Sequence, residues 1–222
     1  MEVIPLPPAD DYPSVEDGPE VEHRVRGSRF LGRAFHVRRA SEAAVRVREV
    51  RRAHHAARHH AWASRIGPPN DVVERADDDG EPSGTAGRPI LQCIGGRSLS
   101  DVLLVVTRYF GGTKLGTGGL ARAYADAARL ALDGCVGRVV EIDCTIEIVL
   151  AYADLGFLEA ALARSIDGIR RVSREYDPSP RIRLAVRPTR AAGIAASIID
   201  ATGGRASVSL VRSALARGPG AV

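Results

Sequence analysis

Apolar and polar residues recur along the first half of the chain with the periods of alternating strands and helices. The segment 29–37 has the composition of a strand, and 41–57 clusters Ala44, Val45, Val47 and Val50 on one helical face behind Ser41, the predicted N-cap. Residues 60–66 and 71–77 have the composition of strands on either side of a Gly-Pro-Pro-Asn turn. This order predicts a sheet with helices packed on it.

Longer apolar runs follow. A short helix is predicted over 86–93, and the near-continuous apolar run 101–110 predicts a strand buried on both faces. Apolar residues then recur at helical spacing over 118–133. On the polar face of that helix, Arg122 and Asp126 are four residues apart and are expected to pair.

After Gly137 the pattern restarts as strand, helix, strand, strand, helix, strand. That order is the split βαβ arrangement of a ferredoxin-like domain. The predicted fold class is therefore α+β, with one domain over 23–134 and a ferredoxin-like βαββαβ domain over 137–213.

The amino-terminal segment is acidic. Residues 1–20 carry six acidic and no basic side chains, and they include few large apolar ones. Such a segment does not bury enough apolar surface to offset the entropy of ordering. Residues 1–22 are therefore predicted to be a disordered tail, with structure beginning near Gly27.

The first domain is basic. The whole chain has a net charge of +4, but residues 21–132 alone hold 19 basic and 11 acidic side chains. This excess favours a polyanionic partner such as RNA, with an ordinary solvated surface as the alternative.

Cysteine usage and hydropathy indicate the compartment. Cys93, Cys135 and Cys144 are odd in number and form no CxxC pair, so reduced thiols are expected. No apolar run approaches the roughly 20 residues that cross a bilayer, and the amino terminus lacks a signal-peptide pattern. A cytoplasmic protein without a membrane partner is expected.

The stretch 108–124, RYFGGTKLGTGGLARAY, has the strongest chemical signal. It satisfies neither the P-loop pattern nor the strand-to-helix spacing of a dinucleotide fingerprint. Glycines at a helix start leave backbone N–H groups accessible, so an anion site flanked by Arg108 and Lys114 is one interpretation. In the alternative, Gly111, Gly112 and Gly116 supply positive φ angles, and the glycines at 118–119 let the helix approach the sheet.

The acidic loop 77–89, DDDGEPSGTAGRP, admits two interpretations as well. Its carboxylates could bind Mg²⁺, or the loop could be a tight turn in which Ser83 or Thr85 caps the next helix. The histidines of 54–60 lack the glutamate of a zinc-protease helix, and no nucleophile elbow occurs. No metal site and no cofactor are predicted.

Four segments occur in the order and at the spacing of one known family. They are SRF at 28–30, HHAWA at 59–63, DDGEPSGTAGRPIL at 78–91 and VVTRYFGGTKLGTGGLARAY at 105–124. Together they resemble the Impact/YigZ family, closely over residues of about 25 to 135. Arg58 stands where the family often has threonine, and Arg88 stands where it often has lysine.

The resemblance implies a ribosomal protein S5 domain 2-like first domain and a ferredoxin-like second domain similar to domain V of elongation factor EF-G. It also implies a role in translation, because eukaryotic members resemble translational regulators and bacterial members are associated with RNA or ribosome binding. The regulators act through an additional amino-terminal module, and that partner is not carried over to this chain. The family motifs fall on His59, Asp78, Asp79, Gly80, Glu81, Pro82, Gly84, Thr85, Gly87, Pro89, Arg108, Tyr109, Gly111, Gly112, Leu115, Gly116, Gly118, Gly119 and Tyr124.

Our hypothesis is that the two signature loops adjoin, so that Arg108, Lys114 and helix N–H groups lie beside Asp78, Asp79 and Glu81. The favoured function is a non-enzymatic, translation-associated protein that binds RNA or the ribosome. The alternatives are a phosphotransferase or hydrolase for a small phosphorylated molecule, which uses these three acids in catalysis, and an interaction module whose signature residues serve folding. The predicted binding residues are His59, Thr85, Arg88, Arg108, Tyr109, Gly111, Gly112, Lys114, Gly116, Gly118 and Gly119.

Overall fold

The computed structural model describes residues 10–176 and 178–212. Contacts divide the chain into two compact units, one formed by Tyr12–Val139 and the other by the described residues outside that range. Each unit combines helices with antiparallel sheet, which confirms the predicted α+β class. In the described part of the chain, no helix is long and apolar enough to span a membrane.

The first unit is built on a five-stranded sheet in the order β2-β3-β6-β4-β5, with every neighbouring pair antiparallel. A separate two-stranded sheet joins β1 to β7 (Gly137–Glu141). The elements are β1 (Asp11–Val15), β2 (Val21–Val25), β3 (Ser28–His36), α1 (Ala40–Ala53), β4 (His59–Ile66), β5 (Val73–Asp77), α2 (Gly87–Gly96), β6 (Val102–Tyr109) and α3 (Gly116–Asp133).

Helices cover both faces of this sheet. Leu104 and Val106 of β6 pack with α2 and α3, whereas Leu103 and Val105 of the same strand pack with α1. Side chains alternate between the two faces of a strand, so a central strand with helices on both sides is apolar at nearly every position. This explains the continuous apolar run from which the buried strand was predicted.

The prediction of a disordered tail is wrong for residues 10–22. These residues form β1 and the start of β2, and Tyr12 and Val15 are buried. The hydroxyl of Tyr12 donates a hydrogen bond of 2.6 Å to Oδ2 of Asp101, a buried carboxylate that needs a donor. A few well-placed side chains therefore order a segment whose average composition favours disorder, while residues 1–9 lie outside the described part.

Helix α1 differs from its prediction at both ends. Ser41 lies inside the helix, and the N-cap is Arg39, whose side chain makes no capping bond. The backbone N–H of Arg38 instead donates to Oε2 of Glu42 at 2.7 Å, which provides a carboxylate at the first turn. The helix ends at Ala53 rather than at residue 57.

The second unit contains a four-stranded antiparallel sheet in the order β11-β8-β10-β9. Its elements are β8 (Cys144–Val149), α4 (Leu155–Arg164), β9 (Ile169–Glu175), β10 (Arg181–Val186), α5 (Pro188–Ala201) and β11 (Ser207–Arg212). Ile146, Ile148, Ile182 and Leu184 form its core with apolar residues of both helices. Apart from residues 10–11, the unit begins at Val140, three residues after the predicted boundary at 137, and the predicted end at 213 lies outside the described residues.

Candidate functional site

The two signature loops meet at the end of β6, as expected, but they meet in the interior. Nη1 of Arg108 donates a hydrogen bond of 2.7 Å to Oε1 of Glu81, and the two side chains are only 7% and 4% exposed. The hydroxyl of Tyr124 donates to the same oxygen at 2.9 Å. The Arg108 guanidinium carbon also lies 5.5 Å from the ring centroids of Phe30 and Phe110.

This buried cluster of Arg108, Glu81 and Tyr124 holds the acidic loop against the sheet and α3. Burial, and after it the charge of Glu81, raises the pKa of Tyr124 far above its usual value, so its hydroxyl remains a donor. A buried ion pair is costly to break, because removal of one partner leaves the other charge without compensation. The guanidinium of Arg108 is therefore occupied in the fold and does not face a surface ligand, contrary to the role expected for it.

Asp78 caps helix α2. Its carboxylate accepts hydrogen bonds from the backbone N–H groups of Gly84 at 2.7 Å, Ala86 at 2.9 Å and Gly87 at 2.8 Å. Burial raises the pKa of Asp78, but these three donors outweigh that effect, and the net pKa is lowered. The hydroxyl of Thr85 donates to the carbonyl of Pro82 instead, and neither Thr85 nor Ser83 caps the helix as expected.

The carboxylate of Asp79 interacts on the other face of the sheet, where α1 packs. Its Oδ1 accepts from Nη2 of Arg51 in α1 at 2.6 Å, and its Oδ2 accepts from the backbone N–H of His60 at 2.6 Å. Its carbonyl oxygen lies 2.8 Å from Nδ1 of His59. Arg108 lies on the face covered by α2 and α3, so the hypothesis of one patch that combines Arg108 with all three acids is wrong.

Each acid of the loop thus has a distinct partner, and the carboxylates do not converge. Across residues 10–176 and 178–212, no group of three or more His, Cys, Asp or Glu side chains is placed to hold a metal ion. The carboxylates of Asp78, Asp79 and Glu81 therefore form interactions that stabilise the fold.

The glycines that follow β6 divide by their structural role. Gly112 and Gly116 have φ angles of 86° and 70°, which confirms the expected positive φ at both. Gly111 is needed for another reason, because a Cβ there would lie 1.9 Å from the backbone carbon of Gly27. The turn between β2 and β3 thus packs directly against the glycine loop.

Gly118 has no such role. It is exposed in the first turn of α3, and a Cβ there would meet only Nη1 of Arg122, at 3.7 Å. The expectation that this glycine lets the helix approach the sheet is therefore wrong. A glycine in a helix costs about 1 kcal/mol relative to alanine, and nothing in the fold requires it at this position. Because Gly118 has no side chain, it leaves the backbone N–H groups in the first turn of α3 accessible.

The amino terminus of α3 is open and electropositive. Its N-cap is Leu115, no side chain caps it, and no acidic residue lies in its first turn. Lys114 is exposed just before it, and Arg26 and Arg122, together with Asp126, line an adjoining cleft of about 250 Å³. Within the described residues, none of these three cations has a carboxylate partner. We name this surface, comprising Arg26, Lys114, Arg122 and the residues Gly116–Gly119, the α3 cleft.

Sequence reasoning missed two members of the α3 cleft. Arg122 was expected to pair with Asp126, but that carboxylate interacts with Arg129 and lies 3.7 Å from Nε2 of His23. Arg26 precedes the Gly27 that contacts Gly111, so the close approach of two glycines brings it beside α3. The adjacent Arg26 and Gly27, in a tight turn between two strands, were the sequence feature that could have indicated this position.

The remaining predicted residues are dispersed. The hydroxyl of Tyr109 lies 3.1 Å from Nδ1 of His54, and the guanidinium of Arg29 stacks 5.4 Å from the Tyr109 ring, so that ring is occupied. Phe110 is 56% exposed near the glycine loop, and the Arg108 guanidinium carbon lies over one face of its ring, 5.5 Å from the centroid. Arg88 is exposed on α2.

Comparison with known proteins assigns most of the first unit to one family. The family described as the Impact N-terminal domain matches residues 26–132, which contain both signature loops and the α3 cleft. A Haemophilus influenzae protein named as an IMPACT family member is 35% identical over 146 residues, which is 65% of this chain and 68% of that protein. YigZ of Escherichia coli, also named as a member, is 33% identical over 81% of this chain and 88% of its own.

The chain belongs to the IMPACT family. Within the family, YvyE of Bacillus subtilis is 45% identical over 113 residues, covering 51% of this chain and 52% of that protein. A crystal structure described only as that of a hypothetical protein superposes with a TM-score of 0.65 at 30% identity, covering 92% of this chain and 98% of the other. Both units of this IMPACT family member thus have a counterpart in a solved structure.

Proposed function

We propose that this protein binds RNA, as part of a regulatory role in translation, and that the phosphate backbone docks in the α3 cleft. The observation that carries the proposal is the open amino terminus of α3 beside Arg26, Lys114 and Arg122, which have no carboxylate partner among the described residues. Helix N–H groups and unpaired cations are the groups that recognise phosphate.

Gly118 supports the same interpretation. A side chain at this position would project from the first turn of α3 and keep a ligand away from the backbone N–H groups, whereas glycine leaves them open. The exposed ring of Phe110 adds a surface on which one unpaired base could stack. With aromatic residues at only 5% of the chain, phosphate contacts rather than extensive stacking would supply most of the affinity.

The acids of the DDGE loop favour this role over a small-molecule enzyme. Asp78, Asp79 and Glu81 are engaged by a helix terminus, by Arg51 and by Arg108 respectively. A general base or a metal ligand needs a free lone pair aimed at a common point, and these three carboxylates have no common point.

The finer fold assignments belong with this proposal. We infer a ribosomal protein S5 domain 2-like first unit and a ferredoxin-like second unit, supported in the second case by the strand order β11-β8-β10-β9 around two helices. A cytoplasmic location accords with cysteines that form no disulfide bond among the described residues.

The test is a salt series of binding to labelled single-stranded RNA and to small ribosomal subunits. For the wild type, the logarithm of the affinity should fall linearly with the logarithm of the salt concentration. Lys114→Ala should weaken binding and make that slope shallower by about one. Gly118→Ala should weaken binding without changing the charge, because its methyl group covers the helix N–H groups.

Arg52→Ala is the matched control. Arg52 is also exposed and lies on α1, on the opposite face of the sheet, and its replacement removes the same charge. It should leave the slope close to that of the wild type. Absence of binding at low salt, or equal losses in Lys114→Ala and Arg52→Ala, would overturn the proposal.

A further inference from the structure

A second cleft lies on the other face of the sheet. It has a volume of about 420 Å³ and is bounded by α1 on one side and by β4 and the edge strand β5 on the other. Its floor contains Trp62 and Ser64, and its rim carries Arg48, Arg75 and Asp77. We name this cleft, comprising these five residues and the wall of α1, the Trp62 groove.

The shape of the groove follows from the sheet edge and from small residues. Helix α1 presents Ala40, Ala43 and Ala44 to the groove, which leaves space above the strands. The strand β5 is exposed at every residue, so nothing in the described structure covers this end of the floor. Clefts of roughly 300 to 1,000 Å³ are the usual size for small-molecule ligands.

The floor of the groove presents groups without protein partners. Trp62 is half-buried, its indole N–H has no hydrogen-bond acceptor among the described residues, and no described guanidinium stacks on its ring. Ser64 is only 2% exposed as a residue, and its hydroxyl makes no hydrogen bond with the described residues and is not one of their fully buried unpaired atoms, so it is open to the groove. A hydroxyl that faces a cleft without a protein partner can donate to and accept from a ligand.

The rim is positively charged. Arg48 and Arg75 are exposed, and neither has a carboxylate partner among residues 10–176 and 178–212. Antiparallel pairing places Trp62 opposite Asp77 and Ser64 opposite Arg75, so these four side chains share one face of the sheet. The Asp77 carboxylate accepts the backbone N–H of Asp79 at 2.7 Å and has further acceptor capacity.

We propose that the Trp62 groove binds a nucleoside monophosphate. The base stacks on the open face of the Trp62 indole, and the phosphate is held by Arg48 and Arg75. The Ser64 hydroxyl and the Asp77 carboxylate meet the polar groups of the sugar or the base edge. This site is separate from the α3 cleft and does not depend on the RNA-binding role proposed above.

The chain offers a direct probe, because Trp62 is its only tryptophan. Titration with AMP, excited at the red edge of tryptophan absorption, should give saturable quenching of the intrinsic fluorescence. Replacement of both arginines, Arg48→Ala with Arg75→Ala, should weaken AMP binding by about tenfold or more, since each removes a charge-assisted hydrogen bond. Inorganic phosphate alone should bind without comparable quenching.

Two further arms identify the source of the nucleotide. If a 5′-phosphorylated oligoribonucleotide quenches the Trp62 fluorescence at a lower concentration than AMP does, the natural ligand is the end of an RNA chain. If it requires a higher concentration than AMP, the natural ligand is a free nucleotide. Adenosine without phosphate should bind at least tenfold more weakly than AMP if the arginines hold phosphate.

The controls separate this site from the α3 cleft and from misfolding. Arg52 lies on the same helix outside the groove, so Arg52→Ala should leave the AMP titration unchanged. Lys114→Ala alters the α3 cleft and should also leave it unchanged. Thermal melting should show that the double arginine variant retains its fold.

Isothermal titration of Trp62→Phe with AMP gives a readout independent of fluorescence, and the smaller ring should weaken binding severalfold. Absence of saturable binding in the wild type, or equal binding by the double arginine variant, overturns the proposal.

Discussion

Arg108 and Lys114 belong to the same signature stretch, six residues apart, yet they have opposite environments. Arg108 is buried against Glu81 and Tyr124, whereas Lys114 is exposed before an open helix terminus. Both are cations beside glycines, so the sequence alone made them equivalent candidates for phosphate binding. The comparison teaches that a charge is available to a ligand only when the fold leaves it without a partner.

The buried half of this comparison should be the most sensitive to mutation. Glu81→Ala leaves the Arg108 guanidinium buried without its carboxylate, which should lower the free energy of unfolding by about 3 to 5 kcal/mol. Urea unfolding measures the change. Arg97→Ala, which removes an exposed partner of Asp133, is the control and should change stability by less than about 1 kcal/mol. A loss from Glu81→Ala no larger than this would show that the buried pair is not structural.

Substitution of two glycines in the same stretch should distinguish a structural position from an accessible one. Gly111→Ala forces a Cβ into the backbone of Gly27 and should destabilise the protein by about 1 to 3 kcal/mol. Gly118→Ala meets no such obstacle and should be neutral or stabilising by up to about 1 kcal/mol. Thermal unfolding of the two variants checks the order, and equal destabilisation would show that Gly118 is also constrained by the fold.

Asp78 gives an intermediate effect with a pH signature. Asp78→Ala removes the cap of α2 and should cost about 0.5 to 2 kcal/mol near neutral pH. The carboxylate has a folded-state pKa below its ordinary 3.8, so its contribution is complete above that value and is lost as the pH falls through the folded pKa. The stability difference between wild type and variant should therefore shrink on acidification. A difference that stays constant down to pH 2 would assign the effect to packing rather than to charge.

Lys114→Ala should have the smallest effect on stability, within about 0.5 kcal/mol, because its side chain is exposed and forms no hydrogen bond or ion pair with the described residues. The same variant should show the shallower salt dependence of RNA binding described above. Denaturant unfolding beside the binding series provides the check. A large loss of stability would place Lys114 with Arg108 in the structural half of the signature.

The sequence predicted much of the fold because hydrophobic periodicity is a local signal. The central strand β6 and helix α3 follow directly from their apolar patterns. The fate of Arg108 could not be predicted in this way, since Glu81 is 27 residues away and Tyr124 lies 43 residues beyond Glu81. Only the packing of α2 and α3 on one face of the sheet brings the three groups together.

The candidate site was predicted in part for the same reason. The glycine stretch signalled accessible backbone, and α3 does begin there. Arg26 and Arg122 join it only because Gly27 and Gly111 touch, a contact between residues 84 positions apart that no local pattern reports. Likewise, the capping role fell to Asp78 rather than to Ser83 or Thr85, because the loop folds back over the helix terminus.

The strand β1 has a practical consequence for anyone who trims this protein. A truncation at Gly27, which composition alone recommends, would delete Tyr12 and Ser14 together with their bonds to Asp101 and His36. The buried Asp101 would then keep Gly67 as a donor but lose its hydroxyl partner. If such a shortened protein misfolds, the cause would be the loss of strand β1 and not a low intrinsic stability of the domain. An expression boundary should therefore lie before Asp10.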